Sequence, residues 1–319
     1  MASFSKKRIT NYFFYLVLLL SFFAYLYISY GDNTHNPINL SKDELKGLKI
    51  SYLDVGQADS ILIETGNESM LIDAGNNSDG NGLVEYLKSQ DITKLKYVIG
   101  THAHEDHIGG MDDIIYNFDI EHFYMPDVLS TTKTFEDILD ALENKQVRFE
   151  TPNIGDKFNL GEAIITVIYV GKDDKNLNNS SIVLKLKYKN AEFLFMGDLE
   201  KSVEKELLDK DIKADILKVG HHGSDSSSSR EFIEKVKPSM SIISVGKNNK
   251  YNHPRNSTIE LLKKNNSTVL RTDELGTIIV TSDGYKVNYY NIRTNIDGKW
   301  SQWNIQLIEW KEILLFYKI

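Results

Sequence analysis

The segment THAHEDHIGG, residues 101–110, most constrains what this chain can fold into, because it contains three of the chain's eight histidines within six residues. An apolar run at 95–100 precedes it and is typical of a buried strand. Two glycines, Gly109 and Gly110, then lead into a helical pattern at 111–118. A polar loop with a chance histidine cluster would not be framed in this way. The order strand end, polar loop, helix predicts a rigid platform for metal ligands.

Within this segment the side chains have the spacing of a metal site. Histidines two apart in an extended segment point to the same side, so His102 and His104 are predicted to hold one divalent ion. Asp106 and His107 then face the other way, toward a second ion. The chain has no cysteine. Thiolate sites and disulfides are therefore excluded, and His, Asp, Glu or Asn must supply every ligand.

The first thirty residues predict a membrane anchor. Residues 9–30 carry no charge and are long enough for a helix to cross a bilayer. Lys6, Lys7 and Arg8 precede them, which places the N-terminus in the cytoplasm and everything from residue 31 onward outside the cell. A cleaved signal peptide is the rival interpretation, but no small-x-small cleavage site follows. We therefore expect a single-pass protein of the cell membrane with an extracellular catalytic domain.

The remaining chain reads as strands followed by strand–helix alternation. This pattern predicts an α/β fold, a four-layer αββα sandwich with two sheets inside and helices outside. We divide the chain into four predicted parts: stub and anchor 1–30, linker 31–46, the main folded domain 47–290 and C-terminal extension 291–319. The extension contains all three tryptophans. It is predicted to pack on the domain, with contact to the membrane surface as the alternative.

Three further candidates follow predicted strands. Asp198 comes directly after a buried run at 192–196, where it could bridge two metals or cap the next helix. The pair His221 and His222 lies between glycines, so it can approach a metal or a phosphate closely. His253 is either a proton donor, a substrate contact or an ordinary loop residue.

Taken together, five motifs resemble the metallo-β-lactamase superfamily in kind and in order. They are DVGQADS at 54–60, THAHEDHIGG at 101–110, FMGD at 195–198, KVGHHGS at 218–224 and NHP at 252–254. The similarity is strongest to the ComEC-like extracytoplasmic hydrolase domain and to stand-alone hydrolases that include phosphorylcholine esterases. It covers roughly residues 47–290. It implies an αββα fold, a site for two divalent metal ions (Zn²⁺ or Mn²⁺) and hydrolysis.

The resemblance also implies roles for single residues. His102 and His104 would bind the first metal, Asp106 and His107 the second, and Asp198 would bridge them.

One of His221 and His222 would complete the second metal's shell, and the other would lie over the substrate. We expect His221 as the ligand, and His222, His253 and Asp106 as catalytic residues. Asp73 matches an aspartate that supports the histidine loop from the second shell.

One departure from the superfamily pattern concerns the first metal. Many members supply another histidine before the bridging aspartate, whereas residues 176–181 read NLNNSS. The ComEC-like group has asparagine and serine there too. Asn179 could be an oxygen ligand, which would favour Mn²⁺ over tightly held Zn²⁺.

The predicted function is a metal-dependent phosphodiesterase or nuclease that acts outside the membrane with metal-activated water. A bridging aspartate disfavours true β-lactamases. The expected substrate is DNA or a cell-envelope polymer, although a net charge of −8 gives no general basic surface for nucleic acid. The alternatives are a DNA-uptake component with a membrane-channel partner, a phosphorylcholine or teichoic-acid esterase, and a non-catalytic module with a degenerate metal site.

Overall fold

The computed structural model describes residues 47–172 and 175–292, and the backbone of 311–314. The predicted anchor at 9–30 and linker at 31–46 lie outside the described residues, as does most of the extension after residue 292. Within the described residues, no helix is both long and apolar enough to cross a membrane.

The described strands form two sheets. In chain order they are β1 (Leu48–Tyr52), β2 (Ser60–Thr65), β3 (Glu68–Ala74), β4 (Lys94–Ile99), β5 (Asp119–Tyr124), β6 (Phe149–Glu150), β7 (Lys157–Leu160), β8 (Ala163–Tyr169), β9 (Val183–Tyr188), β10 (Ala191–Phe195), β11 (Ile216–Lys218), β12 (Met240–Ile243), β13 (Thr268–Arg271), β14 (Thr277–Ser282), β15 (Lys286–Ile292) and β16 (Lys311–Leu314). The first sheet has the order β16-β15-β14-β1-β2-β3-β4-β5-β6, and the second has β13-β12-β11-β10-β9-β8-β7.

The described helices are short. They are α1 (Gly80–Ser89), α2 (Glu105–Ile108), α3 (Met111–Asn117), α4 (Lys133–Lys145), α5 (Lys201–Glu204), α6 (Arg230–Val236), α7 (Asn256–Lys264) and α8 (Thr272–Leu275). At α4, the Thr132 side chain caps the N-terminus by accepting from the amide of Phe135, and the helix ends at Gln146 in the left-handed conformation.

Alternation along the strands divides the core into layers. On β2, Ile61 and Ile63 pack between the two sheets against residues such as Phe193. The intervening Leu62 packs on the opposite face, with α1, α3 and α4. A third cluster joins the second sheet to α6 and α7, where Phe232 is buried. Two sheets with helices on their outer faces are the predicted mixed α/β arrangement.

The direction of the strands determines where polar loops gather. Strands β3 to β6 run parallel to one another, and so do β10 to β13. The loops that follow parallel strands meet at one edge, which is where open α/β sheets bind ligands. The histidines and aspartates predicted to bind metal lie at this edge, after β4, β10 or β11, and His253 follows β12. The predicted ligand Asn179 lies instead in a turn after the antiparallel strand β8.

Candidate metal centre

His102 and His104 converge on one point after β4. His102 Nε2 and His104 Nδ1 are 2.9 Å apart, and their rings meet edge to face. Burial lowers the pKa of both side chains below the usual histidine value. Both imidazoles are therefore neutral at neutral pH, which is the form that binds a metal.

His107 is oriented by the aspartate that the sequence singled out. Its Nδ1 lies 2.8 Å from Asp73 Oδ2, and the two carboxylate oxygens of Asp73 also accept from the amide and hydroxyl of Thr101. The opposite ring atom, His107 Nε2, lies 3.3 Å from Asp198 Oδ1. Burial alone would lower the pKa of His107, but Asp198 and Asp73 outweigh it and raise that pKa. Asp73 thus fixes which nitrogen faces the centre.

The two histidines after β11 point to different places because both adopt left-handed backbone, with φ of 51° for His221 and 50° for His222. His222 is buried, and its Nδ1 donates to the Ser244 carbonyl at 2.9 Å. Its Nε2 lies 3.4 Å from Asp106 Oδ2 and 3.7 Å from Asp198 Oδ2. Burial would lower the pKa of His222, but Asp198 and Asp59 outweigh it and raise it to about 10.

His221 is partly exposed, unlike buried His222, and both histidines line a pocket of about 580 Å³. Its Nδ1 lies 3.0 Å from Ser226 Oγ, and its Nε2 is 3.7 Å from Asp198 Oδ2. The geometry therefore favours the reverse of the division expected from the sequence. His222 groups with Asp106 as a ligand candidate, and His221 faces the pocket.

Unpaired buried atoms show that these residues fit a divalent metal. His107 Nε2, Asp198 Oδ1 and His222 Nε2 are all buried and have no hydrogen-bond partner. Leaving such atoms unsatisfied costs about 1–3 kcal/mol each, and a cation among them would satisfy all three.

Among the described residues, the donor atoms form three groups in which all ligand atoms lie within 4.8 Å of one another. One of them, Asp59, Asp73 and His107, lies behind the centre, and the other two overlap at His107. These two are His102, His107 and Asp198 in one, and Asp106, His107 and His222 in the other.

The carboxylates at the centre are ionised. Burial would raise the pKa of Asp198, but His107 and His222 outweigh it and hold that pKa well below the usual range. Burial would also raise the pKa of Asp106. The neighbouring His222 side chain and the charge of His107 outweigh burial and lower that pKa to about 2. Asp198 lies before α5 without capping it, since Glu200 occupies the cap position. The helix-cap alternative for Asp198 is therefore wrong.

The asparagine that faces the pocket is Asn178 and not Asn179. Asn179 Oδ1 accepts from the amide of Glu200 at 3.3 Å, and the residue does not line the pocket. Asn178 lines the pocket, and its buried Oδ1 has no hydrogen-bond partner. Both lie in a 3₁₀ turn, Leu177–Ser180, in which neighbouring side chains point about 120° apart. The structure thus places Asn178 rather than Asn179 at the pocket, and the oxygen ligand at Asn179 stays a prediction.

His253 also lines the pocket, with its ring edge-on to His221 at a centroid distance of 5.6 Å. Burial and the neighbouring His221 and His222 lower the pKa of His253 to about 4. The ring is neutral at neutral pH, so it is suited to accept a proton and poorly suited to the predicted role of donor.

A buried ion pair behind the centre was not anticipated from the sequence. Lys218 Nζ lies 2.7 Å from Asp59 Oδ2, and both side chains are at most 2% exposed. The other oxygen, Asp59 Oδ1, lies 3.4 Å from His222 Nδ1. The motifs DVGQADS and KVGHHGS contain these residues, but nothing in either motif shows that Asp59 pairs with a lysine 159 residues away.

Comparison with known proteins places this geometry in context. The model of the metallo-beta-lactamase superfamily matches residues 53–247. ComE operon protein 3 of Bacillus subtilis (strain 168) is 32% identical over 251 residues, which cover 72% of this chain and 32% of that protein. Competence protein ComA of Neisseria gonorrhoeae is 27% identical over 239 residues, which cover 72% and 31%.

The chain thus spans about a third of the length of the curated relatives it matches. Among solved structures, the metallo-beta-lactamase fold protein YhfI from Bacillus subtilis is 12% identical, with a TM-score of 0.49. That match covers 70% of this chain and 95% of YhfI.

Proposed function

Because the chain belongs to the metallo-β-lactamase superfamily, a family of metal-dependent hydrolases, we propose that it is a phosphodiesterase of the nuclease type. The observation that carries the proposal is the position of Asp198. Its Oδ1 faces His107, and its Oδ2 faces His221 and His222. A carboxylate shared between two donor groups suits a pair of metal ions, and paired ions are the common device for phosphodiester hydrolysis.

We assign the ligands from the resemblance together with the geometry. His102 and His104, whose ring nitrogens lie 2.9 Å apart, would hold one divalent ion with Asp198, which groups with His102. Asp106, His107 and His222 would hold a second, with Asp198 between them. Mn²⁺ or Zn²⁺ fits a set of nitrogen and oxygen donors. When bound, such ions supply positive charge to the phosphate and acidify water at neutral pH.

The protein's own residues would then orient the substrate. His221 is held from behind by Ser226 and presents Nε2 to the pocket, where it can donate to a phosphate oxygen. Neutral His253 can accept a proton on the same side. Asn178 offers an unpaired amide oxygen to the pocket. These three side chains lie around the position proposed for the substrate phosphate, and none of them is proposed to attack it.

The location and partners belong to the same proposal. If residues 9–30 anchor the chain as their composition predicts, the centre lies outside the cell membrane and meets extracellular DNA. Two of the relatives are named for the ComE operon and for competence. We therefore propose a role beside a separate membrane channel in DNA uptake.

The test is hydrolysis by the purified full-length chain supplied with Mn²⁺ or Zn²⁺. Bis-p-nitrophenyl phosphate and single-stranded DNA are the substrates. His104→Ala is expected to lower kcat/KM roughly 100-fold or more, because it removes a proposed ligand. His122→Ala is the matched control, since His122 lies on β5 beside Glu150 and outside the pocket. Full activity of His104→Ala, or no hydrolysis with either metal and either substrate, would refute the proposal.

A further inference from the structure

A half-exposed aromatic ring lies on the rim of the pocket. Tyr251 is 47% exposed and lines the same pocket as Asp198 and His221. A single exposed ring is ordinary on a protein surface. What distinguishes Tyr251 is its place in the lining of the candidate site's own pocket.

The ring of Tyr251 is supported from behind. The ring of His253 lies nearly parallel to it, at an interplanar angle of 17° and a centroid distance of 5.8 Å. His253 in turn packs edge-on against His221. A continuous series of rings therefore connects the candidate centre to the exposed tyrosine.

The loop that carries the ring is held in place by one asparagine. Asn249 Oδ1 accepts from the amides of Tyr251 and His253, and its amide nitrogen donates to the carbonyls of Gly246 and His253. Four hydrogen bonds from one side chain fix the path of the loop. The platform is thus ordered before any ligand arrives, which reduces the entropic cost of binding.

A cation without an acidic partner lies beside the ring. Lys250 Nζ is 5.0 Å from the centroid of the Tyr251 ring, and no ion pair involves Lys250 among the residues the structure describes. Lysine on an exposed ring is held weakly and can move to a better partner. An aromatic face, a free ammonium group and a phosphodiester-cleaving centre therefore lie together.

We propose that Tyr251 is the stacking platform for a nucleobase next to the scissile phosphate, and that Lys250 binds a flanking phosphate. The substrate is then single-stranded nucleic acid, because in a duplex the faces of the bases are covered by their neighbours. Stacking on one ring tolerates any base, so little sequence preference is expected. This inference rests on the proposed phosphodiesterase function and specifies its substrate.

The other polymers considered for this site fit the rim less well. A glycerol or ribitol phosphate chain has no planar group to stack. A choline group could bind a tyrosine face through its positive charge, but the positive charge of Lys250, 5.0 Å from the ring centroid, disfavours a second cation there. A neutral nucleobase can take this face once Lys250 moves to a phosphate.

The test compares two fluorescent oligonucleotides of about 12 residues, a length within the site sizes of such grooves. One is oligo-dT, and the other has the same phosphates with abasic residues throughout. Binding to the full-length chain is measured by anisotropy in EDTA, so that neither ligand is cleaved. The wild-type protein is expected to bind oligo-dT about 10-fold more tightly.

The variants separate stacking from other causes. In Tyr251→Ala the ratio of the affinity for oligo-dT to the affinity for the abasic oligonucleotide should fall toward one. Tyr251→Phe should keep the wild-type ratio because the ring remains. Tyr285→Ala is the matched control, since Tyr285 is 48% exposed and does not line the pocket. A wild-type ratio near one, an unchanged ratio in Tyr251→Ala, or a lost ratio in Tyr251→Phe would overturn the proposal.

The role of Lys250 has its own measurement. Lys250→Gln should reduce the slope of log affinity against log salt by about 0.7, the value for one phosphate contact on a single strand. Lys247→Gln is the control, because Lys247 is exposed in the same loop but does not line the pocket. Equal slopes for the two variants would contradict the phosphate contact. Phosphocholine that displaces oligo-dT from wild type but not from Tyr251→Ala would instead identify a choline polymer.

These binding experiments and the hydrolysis assay can refute the two proposals separately. A protein that prefers bases through Tyr251 but cleaves nothing would refute the phosphodiesterase and leave the platform intact. A protein that cleaves bis-p-nitrophenyl phosphate but binds both oligonucleotides equally would refute the platform alone.

Discussion

Single residues behind the centre determine its charge. Burial would raise the pKa of Asp59, but the Lys218 ammonium and His222 outweigh it and keep the carboxylate ionised. Lys218 Nζ also donates to the carbonyl of Val219. A buried carboxylate of this kind is tolerated only while its partner is present.

Lys218→Met is therefore expected to destabilise the protein by about 3–5 kcal/mol, because it leaves Asp59 buried and unpaired. Urea unfolding measures the loss. The double variant Lys218→Met/Asp59→Asn should recover part of it, since the unpaired charge is gone. Lys187→Met is the control, because Lys187 is 57% exposed and its ion pair with Glu192 spans 3.9 Å. Its expected cost is below about 1 kcal/mol, and an equally mild Lys218→Met would contradict the argument.

Asp73 acts on the metal through His107. Asp73→Asn is expected to lower metal affinity by about 10- to 100-fold, because the amide cannot accept from His107 and Thr101 as the carboxylate does. Asparagine tolerates the left-handed backbone of Asp73, which has a φ of 58°. Competition with a fluorescent chelator gives the dissociation constant. Asp283→Asn makes the same chemical change in a turn outside the centre, where the side-chain oxygen accepts from the amides of Tyr285 and Lys286, and it should leave the dissociation constant unchanged.

The sequence predicted which segments carry the ligands better than which atoms face the metal. The pairing of His102 with His104 follows from extended backbone, and the structure brings the two together. The directions of His221 and His222 depend on two consecutive left-handed residues. No residue pattern specifies such a conformation, so the sequence could not show which of the two histidines is buried beside Asp106 and which is partly exposed beside Ser226. The same limit applies to Asn178 and Asn179. Neighbouring side chains in a 3₁₀ turn point in different directions, and the sequence does not show which of the two faces the pocket.

At the scale of elements, the junction between α2 and α3 holds the histidine loop against the first sheet. A Cβ on Gly109 would lie 2.1 Å from the amide nitrogen of Asn77, and backbone cannot yield as a side chain can. The amide of Gly109 donates to the carbonyls of Gly75 and Glu105. Glycine is required here by the close approach of two backbone segments.

Gly109→Ala is expected to destabilise the fold by about 1–3 kcal/mol and to weaken metal binding, because the junction must move and His107 lies two residues away. Gly66→Ala is the comparison. Unlike Gly109, Gly66 has positive φ, and a Cβ there meets nothing within 4 Å. It should cost about 1 kcal/mol and leave metal affinity unchanged. Unfolding and metal titration of both variants test this prediction. Equal metal affinity in the two variants would contradict the claim that the Gly109 junction positions His107 for metal binding.

Elements with strong periodicity were predicted well, and weakly apolar ones were missed. The helical pattern predicted at 111–118 is observed as a helix over Met111–Asn117. Strand β5 alternates buried Ile120 and Phe123 with charged or half-exposed neighbours, so its six residues present no apolar run. The two-residue β6 is too short to form a pattern. Such strands are defined by pairing with a neighbour, which acts over long sequence distances.

At the scale of the whole molecule, the centre is built from both halves of the sandwich. His102, His104, Asp106 and His107 follow β4 of the first sheet, whereas Asp198 and His222 follow strands of the second. Without a cation, buried polar atoms from both halves face one another unsatisfied. A bound divalent ion would therefore join the two sheets. It would stabilise the native state and not the unfolded chain.

Adding Mn²⁺ or Zn²⁺ to the chelator-treated full-length chain should therefore raise Tm. At 100 times the dissociation constant the gain is about 2.7 kcal/mol, since the unfolded chain does not assemble these ligands. For a domain of this size that corresponds to a rise of roughly 5–10 °C. His104→Ala should reduce the rise, whereas His122→Ala should show it in full. Calorimetry that finds no change in Tm at saturating metal would mean that the two halves are not joined by an ion, and would remove the basis for the proposed chemistry.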